Sequence, residues 1–139
     1  MTDQTLIETP AHAVIPSTLL RRALQADAVA SAASGLLMLA GAGVLDRLTG
    51  LPTDLLRYAG AFLLPYAALV AVLGFRPSLP RWLVWTVILG NLAWAAASVA
   101  LLLGGFVTPT AYGTGFVLAQ AFVVALFAEL QFFGLRRSR

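Results

Sequence analysis

The sequence predicts an all-α membrane protein, a four-helix transmembrane bundle, and three observations carry that expectation. Of the 139 residues 60% are hydrophobic and only 11% charged, where a soluble domain carries roughly a quarter charged residues. The apolar residues fall into four runs, at about 23–45, 55–75, 82–104 and 114–135. Each is close to the roughly 20 residues that cross a bilayer as a helix. The nine basic residues are all arginine, and most stand at the ends of those runs. The mean hydropathy, +0.87, agrees. Residues 17–139 therefore read as a single transmembrane domain, with no length left for a soluble one.

Residues 1–16 are polar and mixed, hold Pro10 and Pro16, and show no period, so they read as a short mobile tail. His12, the single histidine, lies there and reads as solvated rather than as a ligand. Ser17 or Thr18 is a plausible helix N-cap. Arg21 and Arg22 then precede the first span. Its uncharged part, Ala28 to Leu45, exceeds the about 7–15 residues of a signal-peptide core, so a retained span is preferred. Asp46 to Asp54 reads as a loop, with Gly50 and Pro52 as turn residues. Asp54 is placed to cap the second span and to pair with Arg57 at i,i+3. Pro65 falls inside that span and predicts a bend near Ala61, because it removes a hydrogen bond and crowds the carbonyl one turn back. Arg76 to Arg81 is a tight basic loop. The third span carries no charge. The fourth follows an uncharged loop, holds one acid, Glu129, and ends at Arg136, Arg137 and Arg139.

Four spans put both termini and the second loop on one side. That side holds Arg21, Arg22, Arg76, Arg81, Arg136, Arg137 and Arg139; the other holds Arg47 and Arg57. The positive-inside rule then makes both termini cytoplasmic. Trp82, Trp85, Phe132 and Phe133 fall at the inner interface and Tyr58 and Tyr112 at the outer one, as an aromatic belt requires.

The first and third spans are alike. Asp27-Ala-Val-Ala-Ser-Ala-Ala-Ser34 matches Asn91-Leu-Ala-Trp-Ala-Ala-Ala-Ser98 at a spacing of 64, with leucines and glycine after each. The second and fourth also match, Gly60 to Ala71 against Thr114 to Ala125 at a spacing of 54, with Tyr66 opposite Gln120. Two similar hairpins of even span number share one orientation, so the expectation is a parallel repeat about the membrane normal. Coincidence in alanine- and leucine-rich sequence is the competing account.

Polar residues inside spans are few. Asp27, Ser31 and Ser34 share one helix face, as do Asn91 and Ser98 with Trp94 beside them. Gln120 and Gln131 are eleven apart and share a face, with Glu129 nearly opposite Gln120. An ionisable residue in a span is a functional candidate by default. One reading is a polar track for a small solute or proton, with Asp27 or Glu129 titrating and Ser31, Ser34, Asn91, Ser98 and Gln120 as its wall. The preferred reading is helix glue, since interhelical hydrogen bonds of this kind contribute about 0.6–2 kcal/mol and arginines near the arginine-rich end can snorkel to Asp27 and Glu129. Ser31-x-x-x-Gly35 and Ala93-x-x-x-Ala97 let backbones approach closely, either within the bundle or at a dimer seam.

Several function classes are disfavoured. Cysteine and lysine are absent, which removes disulfides, thiolate metal sites and the usual cysteine and lysine nucleophiles. No metalloprotease, nucleophile-elbow or phosphate-loop motif occurs. No enzyme, cofactor or metal is expected. The net charge of +3 and pI near 10.2 come from arginines at span ends, not from a stripe that would track nucleic acid. The absence of lysine and the abundance of alanine point to a high-GC bacterial source.

The runs Leu56-Arg57-Tyr58-Ala59-Gly60, Asn91-Leu-Ala-Trp94 and Ala128-Glu129-Leu-Gln131-Phe-Phe-Gly134-Leu-Arg136-Arg137 resemble the uncharacterised small four-span integral membrane proteins of high-GC bacteria. The likeness covers nearly everything after residue 17 and implies a bacterial inner membrane, but no activity. Four-span multidrug exporters differ: they carry a glutamate in the middle of the first span, where this chain has Ser34 to Met38. Two functions are thus expected in order. The first is a non-enzymatic inner-membrane protein, an oligomeric or accessory component whose partners are the bilayer and a second copy or another membrane protein. The second is a small transporter or channel using Asp27, Asn91, Gln120 and Glu129.

Overall fold

The computed structural model describes residues 12–139, so most of the expected tail, residues 1–11, lies outside the described residues. Within them the all-α class holds. The elements are β1 (Ala13–Val14), α1 (Thr18–Ala40), α2 (Ala42–Thr49), α3 (Thr53–Phe75), β2 (Leu79–Pro80), α4 (Arg81–Leu103) and α5 (Ala111–Arg136). Four of them, α1, α3, α4 and α5, are long and apolar enough to cross a membrane. At 1.5 Å per residue, a helix of 23 residues spans about 35 Å.

The first span differs most from expectation. It starts at Thr18, not near residue 23, because Ser17 caps it: its Oγ accepts from Leu20 N at 3.1 Å. Arg21 and Arg22 thus lie within the first turn or so of α1 rather than ahead of it. The same hydroxyl donates to the Gly134 carbonyl at 2.7 Å. Gly134 permits that approach, since a Cβ there would stand 2.6 Å from Leu20 N. The span also ends early. Gly41 leaves helical geometry (φ −100°, ψ 14°) and α2 follows as a separate helix, closed by Gly50 in the left-handed region at φ 71°. The expected loop from Asp46 is therefore helical through Thr49. Asp46 accepts from the Thr53 hydroxyl at 2.6 Å, which ties α2 to the start of α3.

α3 begins at Thr53 with Pro52 as its cap residue, so Asp54 stands inside the first turn. A carboxylate there still suits the positive end of the helix dipole. The helix runs on through Pro65 without interruption, with the ring on the exposed side. α4 and α5 match the third and fourth expected spans to within a few residues.

α1 is central. It packs along α3 on one side and against α5 on the other, and α5 carries α4. The order across the bundle is α3–α1–α5–α4, and the α3 and α4 backbones hardly approach. Gly35 and Gly60 make the α1–α3 seam: a Cβ on Gly60 would lie 2.7 Å from the Gly35 carbonyl oxygen. The Ser31-x-x-x-Gly35 motif is therefore used inside the monomer. Ala93 and Ala97 are exposed and seal nothing within it.

Two apolar clusters fill the interior. One, at the end bearing most arginines, includes Leu20, Leu24, Val70, Leu73, Val84, Val87 and Leu135. The other, at the distal end, includes Met38, Leu51, Leu56 and Val117. The buried residues of α4 are Val84, Val87, Ile88 and Asn91 only. Its second half, beyond Asn91, is only partly buried, with Trp94 and Leu102 packed against the distal cluster.

The residues just before α1 correct the tail reading. β1 pairs antiparallel with β2, Ala13 opposite Pro80 and Val14 opposite Leu79. The Arg81 amide donates to the His12 carbonyl at 2.9 Å, and the Arg139 amide to the Ile15 carbonyl at 3.2 Å. Val14 and Leu79 are buried in the arginine-end cluster, which is the physical reason this segment docks. His12 itself is exposed, as expected.

The outer surface suits a bilayer. Phe62, Val72, Leu89, Leu103 and Phe122 are among its exposed apolar residues. Trp82, Tyr58 and Tyr112 are also exposed, near helix ends. Trp85 meets Phe132 edge-on at 5.8 Å, and the Arg136 guanidinium lies 5.8 Å over the Phe132 ring.

Candidate functional site

The polar residues of the interior separate into two groups. Asp27, Ser31 and Asn91 come together, as their helix faces predict. They are joined by Gln131 of α5 and Tyr66 of α3. All four long helices contribute.

Asp27 is the hub and is almost fully buried, at 1% exposure. Its Oδ2 accepts from Asn91 Nδ2 at 2.7 Å and from Gln131 Nε2 at 2.7 Å. Its Oδ1 accepts from the Ser31 hydroxyl at 3.0 Å. Three donors and no acceptor converge on the carboxyl group, the set an acceptor-only carboxylate calls for. Asn91 Nδ2 also reaches Gln131 Oε1 at 3.1 Å. The Tyr66 hydroxyl donates to Asn91 Oδ1 at 3.0 Å. Among the described residues, no sealed side-chain N or O atom lacks a partner. The partners of Asp27 are amides and a hydroxyl, so the expected snorkelling arginine is not needed.

Asp27 and Asn91 are also the positions matched in the proposed repeat, and they meet directly. The packing around them is not two-fold. α1 lies on α5, whereas the equivalent α4 and α3 stay apart, and Gln131 rather than Gln120 completes the cluster. Gln131 was visible in sequence as sharing a face with Gln120. Tyr66 had one signal, its match to Gln120 in the repeat.

Ser34, Ser98 and Gln120 do not join the cluster. They line cavities in the distal half. One, of about 260 Å³, lies between α1 and α5 and includes Ser34, Phe116 and Gln120 in its wall. A second, about 300 Å³, opens between α3 and α4 beside Phe62, Tyr66 and Asn91. A third, about 420 Å³, includes Met38, Ser98 and Gln120. Trp94 walls all three. The Ser98 hydroxyl donates to the Trp94 carbonyl at 2.7 Å, a local helix bond.

Glu129 belongs to neither group. It stands on the exposed side of α5, the side of Leu126 and Phe133, and lines none of these cavities. A track through Asp27, Asn91, Gln120 and Glu129 is therefore not assembled in this structure. The half-turn offset between Gln120 and Glu129 explains why: when one faces inward, the other faces lipid.

Chemically, the cluster is a closed cross-brace. No group of three histidine, cysteine or acidic residues able to hold a metal forms among the described residues. No family model, no curated protein and no solved structure matches the chain.

Proposed function

We propose that the protein is a non-enzymatic integral membrane protein acting through helix packing, as an oligomeric or accessory component. The observation that carries this reading is the Asp27 cluster. Its donors and acceptors are spent on one another across four helices, which leaves a brace and no open group for chemistry. The exposed apolar face of α4, with Ala93, Ala96, Ala97 and Ala100, is available to lipid or to a neighbouring membrane protein. The arginine distribution supports a bacterial inner membrane with both termini cytoplasmic. The uneven arginine ends and the shared clasp of β1, β2 and Arg139 fit that topology. A reporter active only in the cytoplasm should work at either terminus and fail when inserted in 46–54; activity in that loop reverses the orientation.

A small transporter or channel is the second reading, favoured by one observation: Ser31 and Asn91 touch the cavity wall as well as the cluster. Liposomes carrying the protein and a pH-sensitive dye inside distinguish the two. An accessory protein leaves an imposed pH gradient decaying as in protein-free vesicles. A gradient collapsed by the protein and restored by Asp27→Asn would instead establish the transporter.

A further inference from the structure

The three distal cavities contain polar groups that the fold does not satisfy. The Gln120 amide N–H has only the Met38 thioether, at 3.7 Å, and sulfur is a weak acceptor. The Ser34 hydroxyl and the Trp94 indole N–H have no hydrogen-bond partner among the described residues. The Ser34 and Trp94 atoms are not sealed, and the Gln120 side chain borders two of the cavities. Inside a bilayer no water is at hand to satisfy them, and a bare donor in hydrocarbon is costly.

The walls are otherwise apolar and aromatic. Phe62 lies near-parallel to Trp94, at 6.1 Å and 12°, and to Tyr66, at 6.5 Å and 14°. These flat faces border the gap between α3 and α4. No charged residue lines any of the three cavities. Two of them, at about 300 and 420 Å³, reach the range of small-molecule sites, about 300–1,000 Å³, and the one between α1 and α5, at about 260 Å³, is large enough for a single ring.

We propose that this region binds a neutral, lipid-soluble ligand with a flat, carbonyl-bearing ring, the chemistry of an isoprenoid quinone headgroup. The ring slots into the cavity between α1 and α5, beside Trp94 and Phe116. Its carbonyl oxygens accept from Gln120, Ser34 and the Trp94 indole. The absence of charge in the lining selects against ionic amphiphiles and suits a ring whose only tail is hydrocarbon. This inference goes beyond the accessory reading and does not rest on it.

The test uses the chain's three tryptophans. The double variant Trp82→Phe/Trp85→Phe leaves Trp94 as the sole indole, in phospholipid nanodiscs, and decylubiquinone is the probe. Binding predicts saturable quenching of Trp94 emission. Gln120→Leu and Ser34→Ala should each weaken it, Gln120→Leu by about tenfold, the loss of one hydrogen bond to the ligand. n-Decanol, which has a polar head and no ring, should not displace the probe. Quenching that rises linearly without saturation, or that both variants leave unchanged, overturns the proposal. So does equal displacement by decanol, which would make the cavities a seat for any lipid chain. Melting curves on each variant check folding; if Gln120→Leu does not fold, Ser34→Ala decides.

Discussion

The two halves of the bundle hold similar polar residues and use them in opposite ways. Toward the arginine-rich end, Asp27, Ser31, Asn91, Gln131 and Tyr66 bond to one another, and apolar side chains close around them. In the distal half Ser34 and Gln120 line open space around Trp94. The difference lies in α4. Its buried residues stop at Asn91, and beyond that point α3 and α4 meet through the Phe62–Trp94 ring contact rather than through hydrogen bonds. A buried carboxylate has to recruit donors from several helices, and it draws them together. A lone amide or hydroxyl demands less and leaves the helices free to separate.

The largest effect should come from removing the hub. Asp27→Ala strands the Asn91 and Gln131 amides and the Ser31 hydroxyl, and should lower stability by about 2–4 kcal/mol. Unfolding in mixed micelles would measure it. Gln120→Ala, which breaks only a thioether contact, should then change stability by well under half as much. Equal losses would erase the distinction between the halves.

Next comes the α1–α3 seam. Gly60→Val places a Cβ against the Gly35 carbonyl and the Leu39 amide, and should be destabilising by about 1–3 kcal/mol as the helices are forced apart. Ala97→Leu, on the open side between α3 and α4, should fall within about 1 kcal/mol of the wild type or stabilise it. A clear loss from Ala97→Leu would mean that the gap is narrower than the structure has it.

The smallest effect is expected at Glu129. It stands on the outer face of α5 and takes no part in either half. Glu129→Gln should leave the melting temperature unchanged, and a cross-linker at neighbouring Leu126 would report whether that face meets a second copy. A large melting shift without self-association would mean that Glu129 has an intramolecular partner.

The span positions were legible in the sequence because a bilayer imposes length and apolarity directly. Ser17 as a cap and the meeting of Asp27 with Asn91 were legible for a related reason: capping chemistry and helix periodicity are local. The separate helix α2 was harder to see, since Gly41 interrupts a run whose composition does not change. Docking of residues 13–14 on Leu79 was invisible, because a two-residue strand has no period and Val14 finds its partner, Leu79, 65 residues away.

What the sequence determined by itself was therefore the four long helices, the Ser17 cap, and which polar residues share a face. Hydrophobicity, periodicity and arginine placement act within one element and need no partner. Only the tertiary structure decided that α1 lies between α3 and α5, that Gln131 rather than Gln120 reaches Asp27, and that Glu129 faces outward. Those outcomes depend on how far two helices approach, which is set by glycine contacts such as Gly35–Gly60 and by which donors come within about 3 Å of one carboxylate. A linear pattern encodes neither distance.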